Sequence, residues 1–162
     1  APYKLSDIEF FWYAIEFGAS KWCDIVQAQA AQQKLLTFLG QACDRFNIDT
    51  EQITLIGFDQ GGILSLALAL SYPEKIQRVV AINSYIDKKL LSFSYQKNNF
   101  ENLKICLLHG YSNEIVSLDW AEETTELLKK LHIPYAYQTF ASGHVFSAEM
   151  FYAMKTWIEQ EE

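Results

Sequence analysis

The stretch TLIGFDQGGILSLALAL, residues 54 to 70, limits the fold more than any other part of the chain. A run of apolar, β-prone residues meets a tight glycine turn, and an apolar segment of helical length follows at once. A strand with no polar alternation is buried on both faces, as strands in parallel sheets are. Parallel neighbours need crossover connections, and a helix is the usual one. The stretch therefore predicts one half of a strand–helix–strand unit.

The rest of the chain repeats the pattern. Residues 3 to 22 are rich in aromatic residues and weakly periodic, which predicts a loop with one turn of helix. From Ile25 to Phe46 the apolar positions Ile25, Ala28, Leu35, Leu36, Leu39 and Ala42 keep helical spacing, and Asn47 with Asp49-Thr50 end it. QITLIGF reads as a strand, and GGILSLALALSY as a helix stopped by Pro73. RVVAIN (78 to 83) and LKICLLHG (103 to 110) are further strands. Residues 117 to 132 make an amphipathic helix with Ser117 as its cap. PYAYQTFA is a last strand and SAEMFYAMKTWIEQ a closing helix. This order predicts an α/β fold, a mostly parallel sheet with helices on both faces. With 162 residues, 50% of them hydrophobic, one domain spanning 1–162 is expected.

Charge and cysteine content exclude several functions. A net charge of -7 argues against nucleic acid or an anionic membrane as partner. Lys88-Lys89 reads as a solvated loop. The three cysteines, Cys23, Cys43 and Cys106, form neither a disulfide framework nor a zinc pattern, so no metal or other cofactor is expected. Cys106, inside ICLL, reads as a small buried hydrophobe. A reducing compartment, the cytoplasm, is the expected location, and no apolar run is long enough for a transmembrane segment. The chain opens with Ala1-Pro2 instead of Met, which suggests processing or a longer polypeptide.

In open parallel sheets ligands bind beyond the carboxyl ends of the strands. The residues there are Asp59, Asn83-Ser84, His109 to Glu114, and Ser142-Gly143-His144. The turn GFDQG has the outline G-x-S-x-G of a nucleophile elbow, with Asp59 where the serine would stand. Asp59, Asn113 and His144 follow the order nucleophile, acid, histidine used by α/β-hydrolases. The wording agrees further. GFDQGG resembles the G-F-S-Q-G-G elbow of the phospholipase/carboxylesterase family, which includes the acyl-protein thioesterases. LHGYSNEIV resembles that family's L-H-G-x-x-D-x-x-V, and SGHVFS its histidine motif.

The resemblance covers the chain from Ala1-Pro2 onward and implies an α/β-hydrolase fold, with Asp59, Asn113 and His144 at the triad positions. It also implies Gln60 beside the oxyanion site and an acyl pocket that the aromatics Phe10 to Tyr13 line, unless these only pack a core. Two of the three catalytic positions are substituted: Asp59 for serine and Asn113 for aspartate. The family's first strands, and the loop donating half of its oxyanion hole, have no counterpart here. The strand QITLIGF is then left with an open edge for a second copy or a partner chain.

Asp59 has no hydroxyl, so a seryl ester cannot form. Asn113 cannot supply the charge that stabilises an imidazolium; this change costs about 10⁴-fold in the serine-protease triad. Neither Ser65, inside the next helix, nor Ser142 replaces the nucleophile. One expectation is a pseudoenzyme that retains a cleft for a small acyl or ester ligand. In it the Asp59 carboxylate would accept from the free N–H groups of Gln60 to Gly62 and pair with His144. The alternative is an active hydrolase with Asp59 as covalent nucleophile and His144 as base, in the manner of haloalkane dehalogenases or epoxide hydrolases. Glu114 or Asp87 would then orient the histidine. His109 reads as a structural histidine and His132 as a cation at a helix C-terminus.

Overall fold

The computed structural model describes residues 1–16 and 22–160. They fall into two compact units, Ala1–Glu51 and Gln52–Glu162.

The first unit holds two short antiparallel ladders and one long helix. β1 (Tyr3–Lys4) pairs with β2 (Phe10–Phe11), and β3 (Ile15–Glu16) pairs with β4 (Trp22–Cys23). The helical turn expected within residues 3 to 22 does not form among the described residues. The main chain pairs with itself instead, and Tyr3 stacks on Phe11 with centroids 5.5 Å apart. Without apolar residues at a 3.6 spacing, a single turn has too few bonds to repay its nucleation. α1 (Ile25–Arg45) follows, capped by Asp24, whose carboxylate accepts from Gln27 N–H at 3.0 Å. Asp24 N–H donates to Ala14 O, and Ala14 N–H donates to Gln27 Oε1, both at 2.9 Å. These bonds tie the start of the helix to the strand before it.

The second unit is a four-stranded parallel sheet with order β5-β6-β7-β8. Its strands are β5 (Thr54–Phe58), β6 (Arg78–Ile82), β7 (Lys104–Gly110) and β8 (Tyr135–Phe140). α2 (Gln60–Ser71) links β5 to β6, α3 (Leu118–Lys130) links β7 to β8, and α4 (Ala148–Gln160) closes the unit. The β6 to β7 connection carries only two short 3₁₀ turns. Every step moves the same way across the sheet, so right-handed crossovers put α2 and α3 on one face. α4 covers the other: Met150 and Met154 pack on Val80, Ile82, Cys106 and Leu108. Helices on both faces, as expected, leave every central strand residue from Val79 to Ile82 and from Ile105 to Gly110 buried.

α2 is buried continuously from Gly62 to Leu70, which is why its sequence is apolar all round. It ends where expected, at Ser71 with Tyr72 as the C-cap, just before Pro73. Ser117 is the N-cap residue of α3, although its side chain makes no capping bond. Among the described residues β5 is an edge strand, paired only with β6. Its Ile56 and Phe58 share the face of Val80 and Ile82 and are 52% and 38% exposed. No helix among the described residues is long and apolar enough to cross a membrane.

Candidate functional site at the strand ends

β5 ends in a bend that only particular residues allow. Asp59 lies at φ 48° and ψ -121°, a region that costs a residue with a side chain roughly 1–3 kcal/mol. The bend is held on both sides. Asp59 N–H donates to Ile82 O at 3.0 Å, and Asp59 O accepts from Ile63 N–H at 3.0 Å and from the Ser84 hydroxyl. A Cβ on Gly57 would run into the main chain of Gly61 and Gly62, and one on Gly62 would strike Ser84. The turn glycines are thus required where strand, helix and β6 end touch. The strand–bend–helix geometry of an elbow is present, with Gln60 as the first residue of α2.

Asp59, Asn113 and His144 converge at the carboxyl ends of β5, β7 and β8. His144 Nδ1 lies 3.2 Å from Asn113 Oδ1, and His144 Nε2 lies 3.8 Å from Asp59 Oδ2. The first distance is a hydrogen bond; the second is within ion-pair reach and too long for a hydrogen bond. Asn113 Oδ1 also accepts from Ile115 N–H and Val116 N–H, each at 3.0 Å. Those two donors fix the amide's orientation, so the ring must carry its hydrogen on Nδ1 to bond Oδ1. Nε2 then turns toward the Asp59 carboxylate. Unprotonated, it sets one acceptor against another; protonated, it forms an ion pair. Phe58 supports the ring from one side, with centroids 4.8 Å apart at 55°.

The expected caging of the Asp59 carboxylate by the first N–H groups of α2 is not found. Its side chain makes no capping bond, and buried Oδ1 has no hydrogen-bond partner among the described residues. A capping residue takes an extended backbone, whereas the bend at Asp59 carries its side chain off the helix start. Glu114 is exposed, and Asp87 caps a 3₁₀ turn by accepting from Lys89 N–H at 3.0 Å. The orienting position on His144 belongs to Asn113. Ser65 is buried with its hydroxyl committed to Gly61 O at 2.7 Å. Ser142 Oγ is buried and unpartnered among the described residues. Phe10 is exposed and Tyr13 buried.

His109 is structural, as expected: it is buried, and its Nε2 donates to Val116 O at 2.9 Å. Burial lowers its pKa below the usual imidazole value, which the Val116 bond opposes and the nearby His144 charge reinforces. Burial alone pushes the Cys106 thiol up to about 12. Among the described residues no cluster of three or more His, Cys, Asp or Glu side chains could hold a metal ion.

Asn83 has a larger role than its position after a strand suggested. Its side chain joins Gly110 N–H and Val145 O, one on each flank of the His144–Asn113 pair. The signal in the sequence was a polar residue closing an otherwise apolar run.

Residues 12–161 match the family model described as Phospholipase/Carboxylesterase. Over 123 residues the chain is 31% identical to acyl-protein thioesterase 1 of Debaryomyces hansenii, covering 74% of this chain and 53% of that protein. Over 100 residues it is 30% identical to acyl-protein thioesterase 1 of Candida albicans, covering 60% of this chain and 43% of that protein. The chain thus spans about half the length of these relatives. A crystal structure of a carboxylesterase from Mesorhizobium loti superposes with a TM-score of 0.80 at 14% identity, covering 95% of this chain and 70% of that one. At that identity the likeness speaks for the fold alone.

Proposed function

Because the chain belongs to the phospholipase/carboxylesterase family, we propose that it is a degenerate hydrolase, keeping a cleft for a small acyl or ester ligand without serine chemistry. The observation that carries this reading is the pair of contacts on His144: Asn113 Oδ1 on one nitrogen, the Asp59 carboxylate facing the other. In a working triad the nucleophile is neutral and the orienting group is charged. Here the charge lies on the opposite side of the ring. It faces the nitrogen that a working triad keeps turned toward a neutral nucleophile. Gln60, the first residue of the helix after the bend, stands beside the former oxyanion position in this reading.

The test restores the missing chemistry. The protein as it stands should leave a chromogenic short-chain ester unhydrolysed, and Asp59→Ser with Asn113→Asp should introduce turnover that His144→Ala removes. Hydrolysis by the unaltered chain would overturn the reading.

One observation favours a second reading, with Asp59 as nucleophile: Nδ1 lies on the Asn113 oxygen, an arrangement in which Nε2 would be the nitrogen available as base. A carboxylate oxygen of Asp59 would displace a leaving group from the substrate carbon, forming an ester. His144 Nε2 would then take a proton from the water that cleaves that ester at its carboxyl carbon. A single turnover in ¹⁸O-water would label Asp59; turnover without label excludes this route.

A further inference from the structure

Asn83 closes β6 with its side chain fully buried and its backbone at φ 49°, the left-handed region that asparagine tolerates better than most residues. Its main-chain N–H donates to Leu108 O at 2.9 Å. Nδ2 donates to Val145 O and Oδ1 accepts from Gly110 N–H, both at 2.9 Å. One arm therefore ends on the residue that follows His144. The other ends where β7 turns toward Asn113, whose own N–H donates to Gly110 O at 3.0 Å. The neighbouring Ser84 hydroxyl donates to Asp59 O, so the end of β6 touches all three loops of the site.

Other contacts bring the β7 and β8 loops together, and Tyr111 N–H donates to Phe140 O at 3.0 Å. Gly110 lies so close to Ser142 and Gly143 that a Cβ there would overlap them. Ser112 N–H donates to Ser142 O at 3.1 Å. These contacts set how near the loops come. The Asn83 amide sets how they slide past each other, because its donor and acceptor are 120° apart on one planar group. We propose that Asn83 is a positioning residue that holds the histidine loop against the Asn113 turn and so fixes which His144 nitrogen meets Asn113. The proposal rests on reading His144 as the histidine of the site.

Removing the amide leaves the buried Gly110 N–H without its acceptor and the part-buried Val145 carbonyl without its donor, which loosens the loops even where the fold survives. Asn83→Gly is the informative variant, since glycine adopts a positive φ freely and adds no bulk. Asn83→Asp, ionised at the pH of the measurement, keeps the acceptor for Gly110 but sets a carboxylate oxygen against the Val145 carbonyl in place of the donor. ¹⁵N spectra of the imidazoles, taken at a pH high enough that the rings are neutral and assigned with His144→Ala, should show His144 as the Nδ1–H tautomer in the unaltered chain. In Asn83→Gly that signature should be lost to a mixture of tautomers, while the His132 signals stay in place. An unchanged His144 signature in a folded Asn83→Gly protein overturns the proposal, as does a loss in which His132 shifts equally. Asn83→Asp should behave like Asn83→Gly; retention of the signature there would overturn the role given to the Val145 bond.

A second arm separates this proposal from the reading of function. In the Asp59→Ser, Asn113→Asp background, adding Asn83→Gly should lower kcat by about 10²-fold at little-changed KM, the scale of a 1 Å misplacement. If that background has no activity, the functional reading fails, and the spectra still decide the role of Asn83.

Discussion

Replacing Gly57 by alanine puts one methyl group where the elbow has no room for it. The added Cβ would lie under 3.0 Å from the carbonyl carbon and oxygen of Gly61 and from the nitrogen of Gly62. All three are main-chain atoms in the first turn of α2, so no side chain can swing aside. Relief to ordinary van der Waals contact requires α2 to move by about 1 Å, and that helix is buried from Gly62 through Leu70. Alternatively β5 would have to tear its bonds to β6. Overpacking in a core costs about 1–3 kcal/mol where neighbours can adjust, and here they cannot, so about 3 kcal/mol or more is expected. Against a typical total of about 5–15 kcal/mol, that is a fifth or more of the stability. Urea unfolding followed by circular dichroism should show a lower midpoint at unchanged slope, which marks a loss of stability and not a change of mechanism. A loss below about 1 kcal/mol would refute the claim that strand and helix meet at a bend this tight.

Gly40 offers the opposite case: it sits inside α1 with nothing within 4 Å of an added Cβ, so Gly40→Ala should stabilise by about 0.5–1 kcal/mol in the same assay. Cys106, with its thiol pushed up to about 12, should resist alkylation in the native state at pH 8 and react once the chain is unfolded. Protection of only Cys43 would contradict that burial. Because burial lowers the folded pKa of His109, the unfolded chain binds more protons below about pH 6.5. The stability this gives is full above about pH 6.5 and is lost as pH falls through the folded value. His109→Gln should flatten that limb of the stability profile, and an unchanged limb would show that His109 is not held neutral.

The elements of the second unit were legible because each is specified by neighbours in the chain. Apolar runs such as RVVAI and ICLL announce buried strands, the apolar length of α2 announces a buried helix, and Pro73 ends it. The candidate site was legible for the same reason. Residues after parallel strands collect at one end of the sheet whatever the strand order, which put Asp59, Asn113 and His144 among a wider set, and the resemblance of their motifs to the family's singled them out. The region from Tyr3 to Cys23 was not legible, because ladders of two residues carry too little periodic signal to separate strand from loop.

What the sequence determined by itself is everything set by periodicity, turn chemistry and the presence or absence of a functional group. A chain with Asp59 has no hydroxyl at its elbow in any fold. What only the tertiary structure decided are relations between distant segments. The fold keeps the Asp59 carboxylate off the start of α2, where the local sequence would have it cap the helix. It also hangs two loops on the amide of Asn83, a residue 62 positions from the carbonyl it binds. Such bonds depend on how strands align across the sheet. No local pattern carries that, because the alignment is chosen by the packing of the whole core.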